Sequence, residues 1–242
     1  MKTVRFGESK YVGDPINAVK IFNEKETDEL IVVDIDATAK GLEPNIKLIG
    51  HLAIECRMPL CYGGGIRTLE QAKRIVGLGV EKVAISSAAI EDPDLIGRIA
   101  TEVGSQSVVV VLDVKRGRKG TAYELWTHNA RRKARPDPFE FAREAERRGA
   151  GEIVVNAIDD DGAMNGYNLA LAKQMHETIR IPMTMLGGAG SLTDIGALID
   201  ACGVVGAAAG SLFVFKGAYR AVLINYPTSN QKDELVEPAL RR

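Results

Sequence analysis

The residues of this chain best suited to chemistry are carboxylates, serines and glycine turns, each placed just after a short apolar run. Gly63, Gly64 and Gly65 follow the run 59–62, Ser86 and Ser87 follow 82–85, and Asp113 follows 108–112. Further on, Asp159, Asp160, Asp161 and Gly162 come after 153–156, the glycines of 187–190 after 182–186, and Gly210 and Ser211 after 204–208. A glycine turn presents bare backbone N–H groups and a serine adds a hydroxyl, which together suit a phosphate. Gly65, Ser86 and Ser87 make one expected cradle, and Gly162, Gly188, Gly210 and Ser211 a second, so the expected ligand carries two phosphates. Asp113 is placed where partial burial can tune a carboxyl for proton transfer; the competing expectation is a salt bridge to Lys115 or Arg116. Asp161 is expected to act beside it as acid or base, with Asp159 and Asp160 capping the turn. Three carboxylates in a row suggest a divalent cation, but no further ligand spacing supports one, and neither metal nor cofactor is expected. His128 either reaches the ligand or faces solvent.

These positions call for a scaffold in which strand ends converge. Seven apolar runs, 30–33, 59–62, 82–85, 108–112, 153–156, 182–186 and 204–208, lack a polar face, as parallel strands buried on both sides do. Helical patterns at 68–78, 93–103, 138–148, 168–178 and 191–199 lie between them, several opened by Ser, Thr, Asn or Pro. Alternating strands and helices imply right-handed βαβ units, and in a closed parallel barrel the active site lies at the C-terminal strand ends.

An internal repeat favours a barrel over an open sheet. Residues 63–66 fall on 187–190, and Ser86 and Ser87 on Gly210 and Ser211, at one common offset of 124 residues. At nearly the same offset, 32–36 falls on 155–159. The expected fold is therefore a (β/α)8 TIM barrel of two half-barrel repeats, one domain over residues 1–242. The second half opens with the run 108–112 and a small hairpin near 123–127. The matching opening strand of the first half would fall ahead of Met1, so the chain is expected to lack it, and an upstream reading frame should encode an apolar strand of about six to eight residues.

Composition narrows the classes. With 31 basic and 32 acidic residues and a net charge of −1, no basic field invites nucleic acid. No apolar run reaches the ~20 residues of a membrane span, residues 1–10 lack a signal-peptide core, and the expected location is the cytosol. Cys56, Cys61 and Cys202 show no CxxC spacing and are expected as reduced core thiols.

The segments GAGEIVVNAIDDDGAMNGY (149–167), GSQSVVVVLD (104–113), YGGGIR (62–67) and LGGAG (186–190) resemble the cyclase subunit of imidazole glycerol phosphate synthase, over a match from about Lys2 to Phe215. The resemblance implies a partner glutaminase that supplies ammonia. It further implies a bisphosphorylated ribonucleotide substrate, with imidazole glycerol phosphate and an aminoimidazole carboxamide ribonucleotide as products. It assigns Asp113 to the catalytic carboxylate of the fifth strand and Asp161 to the ligand-binding acidic turn, and leaves the first-strand aspartate without a counterpart. It matches Glu29, Lys82 and Glu152 to a salt-bridged ring through which ammonia enters, whose arginine would also lie ahead of Met1. The segments AAGSLFVFKGAYRAVLINYP (208–227) and MPLCYG (58–63) look more like a paralogous branch tied to amidation of surface-polysaccharide sugars. There the barrel passes ammonia to a separate sugar-modifying amidotransferase. Ala163, where the cyclases carry threonine, agrees with that branch. Three readings follow: the ammonia-delivering paralogue, favoured here; a true cyclase of histidine biosynthesis; and a phosphate-binding scaffold without catalysis.

Overall fold

A computed structural model of the chain describes residues 4–7, 10–117, 122–217 and 219–241. Seven parallel strands form one sheet in the order β1 (Leu30–Val33), β2 (Leu60–Gly63), β3 (Lys82–Ile85), β4 (Val108–Arg116), β7 (Glu152–Ala157), β8 (Met183–Leu186) and β9 (Gly206–Ala208). Two short strands, β5 (Tyr123–Thr127) and β6 (Arg132–Lys133), add an antiparallel extension to the far end of β4. The sheet curls until residues of all seven parallel strands, both edges included, line one cavity of about 680 Å³.

Period-two alternation explains the curl and the continuous apolar strands. Along β4, Val108, Val110, Leu112 and Val114 pack outward into the core shared with the helices, while Val109 and Val111 join Cys61, Ala84, Val154, Ile31 and Leu186 inside the curl. Both faces are covered, so neither shows the polar alternation of an exposed sheet.

The outer layer consists of helices with local start signals. α1 (Pro15–Glu24) begins behind Asp14, whose side chain accepts from the Asn17 N–H, and α3 (Ile46–Glu55) behind Asn45. α4 (Leu69–Val76) carries the capping box Thr68 with Gln71, α9 (Leu192–Cys202) the box Ser191 with Asp194, and α11 (Ser229–Leu240) the box Thr228 with Gln231. α6 (Asp94–Val103), α7 (Pro138–Arg147) and α8 (Leu169–Thr178) match expected helices. α2 (Ala37–Lys40), α5 (Ser87–Glu91) and α10 (Ser211–Val214) are single turns at strand ends, and a two-stranded ribbon, β10 (Phe215–Lys216) with β11 (Ala221–Val222), follows α10.

Several sequence boundaries need correction. The run at 108–112 extends to Arg116, because β7 on one side and β5 on the other supply hydrogen-bond partners beyond the end of the other strands; Asp113 lies within β4, not after it. Strands expected at 59–62 and 182–186 begin one residue later, after Pro59 and Pro182, and the strand expected at 204–208 begins at Gly206. α1, α3 and α11 were not expected. Cys61 and Cys202 are buried, whereas Cys56 is only half-buried, with its thiol directed to the Met58 carbonyl at 3.3 Å.

β1 and β9 are the two ends of the strand path, and among the described residues no backbone hydrogen bond joins them. Val33 of β1 is 49% exposed in consequence. Tyr226 bridges this opening at its base, its hydroxyl donating to Asp28 at 2.8 Å. Among the described residues no helix is long and apolar enough to cross a membrane.

Candidate functional site at the C-terminal strand ends

The cavity runs the length of the curled sheet. At its C-terminal mouth lie Asp34, Gly63, Gly64, Gly65, Ser86 and Ser87 from the first three strands, with Asp113, Asn156, Asp161, Gly210 and Ser211 from the rest. At the opposite end lie Glu29, Glu152 and Thr184.

Asp113 and Asn156 are direct neighbours across β4 and β7, and the Asn156 amide donates to Asp113 Oδ1 at 2.9 Å. Burial raises the Asp113 carboxyl to about 7, an effect the Asn156 bond opposes and the charge of Asp161 reinforces. The expected alternative, a salt bridge to Lys115 or Arg116, is not what those cations make: the Lys115 ammonium lies 5.3 Å from the Trp126 ring centroid and Arg116 pairs with Asp160 at 3.4 Å. Asp159 accepts from the Arg116 backbone N–H at 2.7 Å. Asp159 and Asp160 thus fasten the acidic turn to β4 and leave Asp161 facing the cavity. Burial raises the Asp161 carboxyl, against a bond from the Phe6 backbone N–H.

The first group of candidate phosphate residues, Gly65, Ser86 and Ser87, lines the main cavity, and the Ser86 hydroxyl is buried without a partner among the described residues. An orphaned hydroxyl at a ligand-sized cavity is the kind of group a bound oxygen satisfies. The second group, Gly162, Gly188, Gly210 and Ser211, meets around a separate hollow of about 10 Å³ beside Asp161. Two glycines have structural reasons of their own. At Gly64, with φ of +110°, a side chain would strike the Asp34 backbone, and at Gly188, with φ of +109°, it would strike the Gly166 carbonyl. Gly188 is therefore required by packing whether or not a phosphate binds.

At the other end, the Lys82 ammonium sits 2.9 Å from carboxylate oxygens of both Glu29 and Glu152. Thr184 donates to the second Glu152 oxygen at 2.6 Å. Burial pulls the Lys82 ammonium down, and the two carboxylates outweigh it, leaving it above its ordinary value. Between this cluster and the mouth lies the apolar interior formed by Cys61, Ala84, Val109 and Val154.

A model of the histidine biosynthesis protein family matches residues 1–220. The chain belongs to that family. Among relatives of this histidine biosynthesis family member, the Vibrio vulnificus protein named "Putative imidazole glycerol phosphate synthase subunit hisF3" is 54% identical over 237 residues, covering 98% of this chain and 91% of its own. The imidazole glycerol phosphate synthase subunit HisF of Lactococcus lactis subsp. cremoris is 39% identical over 195 residues, 81% of this chain and 75% of its own.

Several site residues of this family member escaped sequence reasoning. Thr184 interrupts the run Met183 to Leu186 as its sole polar residue, the signal that could have found it. Asn156, 8% exposed near the end of β7, reads in the sequence as a strand residue, with no local signal of its bond to Asp113. The turn after β5 has φ of +54°, +58° and +57° at His128, Asn129 and Ala130, and Asn129 donates to Asp36 at 3.2 Å. That turn brings His128 to the cavity wall. Among the described residues no cluster of three or more His, Cys, Asp or Glu could hold a metal ion.

Proposed function

We propose that this chain is the cyclase-type subunit of a cytoplasmic glutamine amidotransferase, working beside a glutaminase. In this reading it receives ammonia at Glu29, Lys82 and Glu152 and carries it through the apolar interior to a bisphosphorylated ligand at the mouth. The observation that carries the reading is the single cavity that reaches from Glu29 and Glu152 to Asp113 and Asp161. Ammonia is small and neutral, so apolar walls let it pass while excluding ions. Gly65, Ser86 and Ser87 hold one phosphate; Gly162, Gly188, Gly210 and Ser211 hold the other. Asp113, with a carboxyl near 7, exchanges a proton at physiological pH, and Asp161 serves as its partner in acid–base work. The whole chain acts as one (β/α)8 barrel domain of two half-barrel repeats, with the eighth strand position between β1 and β9.

Within this class we favour the paralogue that feeds ammonia to a sugar-modifying amidotransferase of surface-polysaccharide synthesis. Ala163 and the segment 208–227 support it, as does the greater identity to the Vibrio vulnificus relative than to the Lactococcus lactis subunit. The raised carboxyl of Asp113 favours the second reading, a true cyclase of histidine biosynthesis. The test combines the chain with its glutaminase, glutamine and the bisphosphorylated ribonucleotide. Binding with little imidazole product supports the paralogue, robust imidazole glycerol phosphate formation supports the cyclase, and absence of ligand binding overturns both.

A further inference from the structure

The ribbon β10–β11 is where the two halves part company. In the first half, α5 passes to α6 through Asp92 and Pro93 alone; in the second, α10 is followed by this ribbon and an extended segment before α11. Arg220, at the end of the ribbon's turn with φ of +49°, reaches from it to the acidic-turn loop, where Nη2 donates to the Gly162 carbonyl at 2.6 Å. Its guanidinium carbon lies 5.3 Å from the centroid of the Phe215 ring, and Lys10 sits 5.1 Å from the same centroid while donating to the Arg220 carbonyl at 3.0 Å. The Arg220 Nε is buried with no partner among the described residues.

The electrostatics around Gly162 give this arrangement a purpose. Among the described residues, the hollow lined by Gly162, Gly188, Gly210 and Ser211 has no cation in its wall and one carboxylate, Asp161. Asp159 and Asp160 follow in the same turn, Asp160 being paired with Arg116 and Asp159 held by backbone. A phosphate seated on neutral N–H and O–H donors alone would face the unscreened Asp161 charge. A guanidinium stays protonated at any working pH, and here it is joined to the very residue that shapes the hollow. We propose that Arg220 is a positioning residue that holds the Gly162 turn and supplies the positive charge that lets the second seat accept a doubly charged phosphate beside Asp161. This rests on the reading of those four residues as a phosphate seat and adds to it a charged determinant outside the half-barrel repeat.

The test is a titration of the full-length protein with inorganic phosphate, followed by backbone amide shifts at Gly65 and Ser87 for the first seat and at Gly188 and Ser211 for the second. Arg220→Gln keeps a donor for the Gly162 carbonyl and removes the charge; Arg220→Met keeps the stem over Phe215; Arg220→Lys keeps the charge. The expected result is at least a fivefold weaker second seat in the Gln and Met variants, near-native affinity in the Lys variant, and a first seat unchanged throughout. Native second-seat affinity in the Gln and Met variants overturns the proposal, and so does a loss in the Lys variant as large as theirs, which would mark a packing role only. If the unaltered protein shows no phosphate response at either seat, the seat reading itself fails; a response at both seats that ignores residue 220 removes Arg220 alone.

Discussion

The two halves of the repeat place similar parts in unlike surroundings. In the first half, Gly65, Ser86 and Ser87 open onto the large cavity, and the Ser86 hydroxyl has no partner among the described residues. In the second, Gly162, Gly188, Gly210 and Ser211 close around a hollow of about 10 Å³ and are backed by Arg220. Strand ends differ as well. Val33 on β1 and Asn156 on β7 are repeat counterparts 123 residues apart, yet Val33 is 49% exposed at an unpaired edge and Asn156 is 8% exposed and bonded to Asp113. Glu29 and Glu152 are also 123 apart and grip the same lysine, but among the described residues only Glu152 has a second side-chain donor, Thr184. The two halves thus share a backbone plan, while the second holds the raised carboxyl, the smaller hollow and the more deeply buried anion.

The sharpest way to break this comparison is at Asp113. Asp113→Asn should lower any turnover by about 100-fold or more while leaving phosphate-ligand affinity within about twofold, as steady-state rates and calorimetry would report. Unchanged turnover would take Asp113 out of the mechanism. Next come the seats. A carboxylate introduced by Ser87→Asp or Ser211→Asp should weaken phosphate binding at its own seat by about tenfold or more and spare the other seat, read by amide shifts; coupled losses would deny that the halves bind independently.

Stability should follow the same asymmetry. The folded Asp113 carboxyl lies near 7, above the unfolded value of about 3.9, so the folded state binds the extra proton. Its contribution is most favourable below about pH 4 and is lost as pH rises through 7. Asp113→Asn should therefore stabilise the protein by on the order of 4 kcal/mol at pH 8 and by almost nothing at pH 4 in urea unfolding. A gain independent of pH would show that burial of charge is not the cause. The smallest effect belongs to the cluster at the base: Glu152→Gln should cost about 1–2 kcal/mol and Glu29→Gln under about 1 kcal/mol, since Glu29 is the more exposed of the two. Equal costs would mean that Thr184 and burial add nothing.

Much of this molecule was legible in its sequence because the signals are local. Continuous β-branched runs mark strands covered on both faces, and Thr68 with Gln71 or Ser191 with Asp194 mark helix starts. The repeat brought Gly63 into register with Gly187, and the family resemblance singled out Glu29, Lys82 and Glu152. Less legible were helices with weak patterns, such as α11, which has no buried residue, and β4, whose length depends on partners on both sides.

The sequence by itself determined the alternating strand and helix plan, the positions of strand-end carboxylates and glycine turns, and the charged residues at strand starts, because each depends on neighbours within a few residues. The tertiary structure alone decided that Asn156 bonds to Asp113, that Thr184 completes the Lys82 cluster, and that Arg220 reaches Gly162. These are contacts between residues about 30 to 60 positions apart, and only the curl of the sheet, which turns neighbouring strand ends toward a common axis, sets their distances.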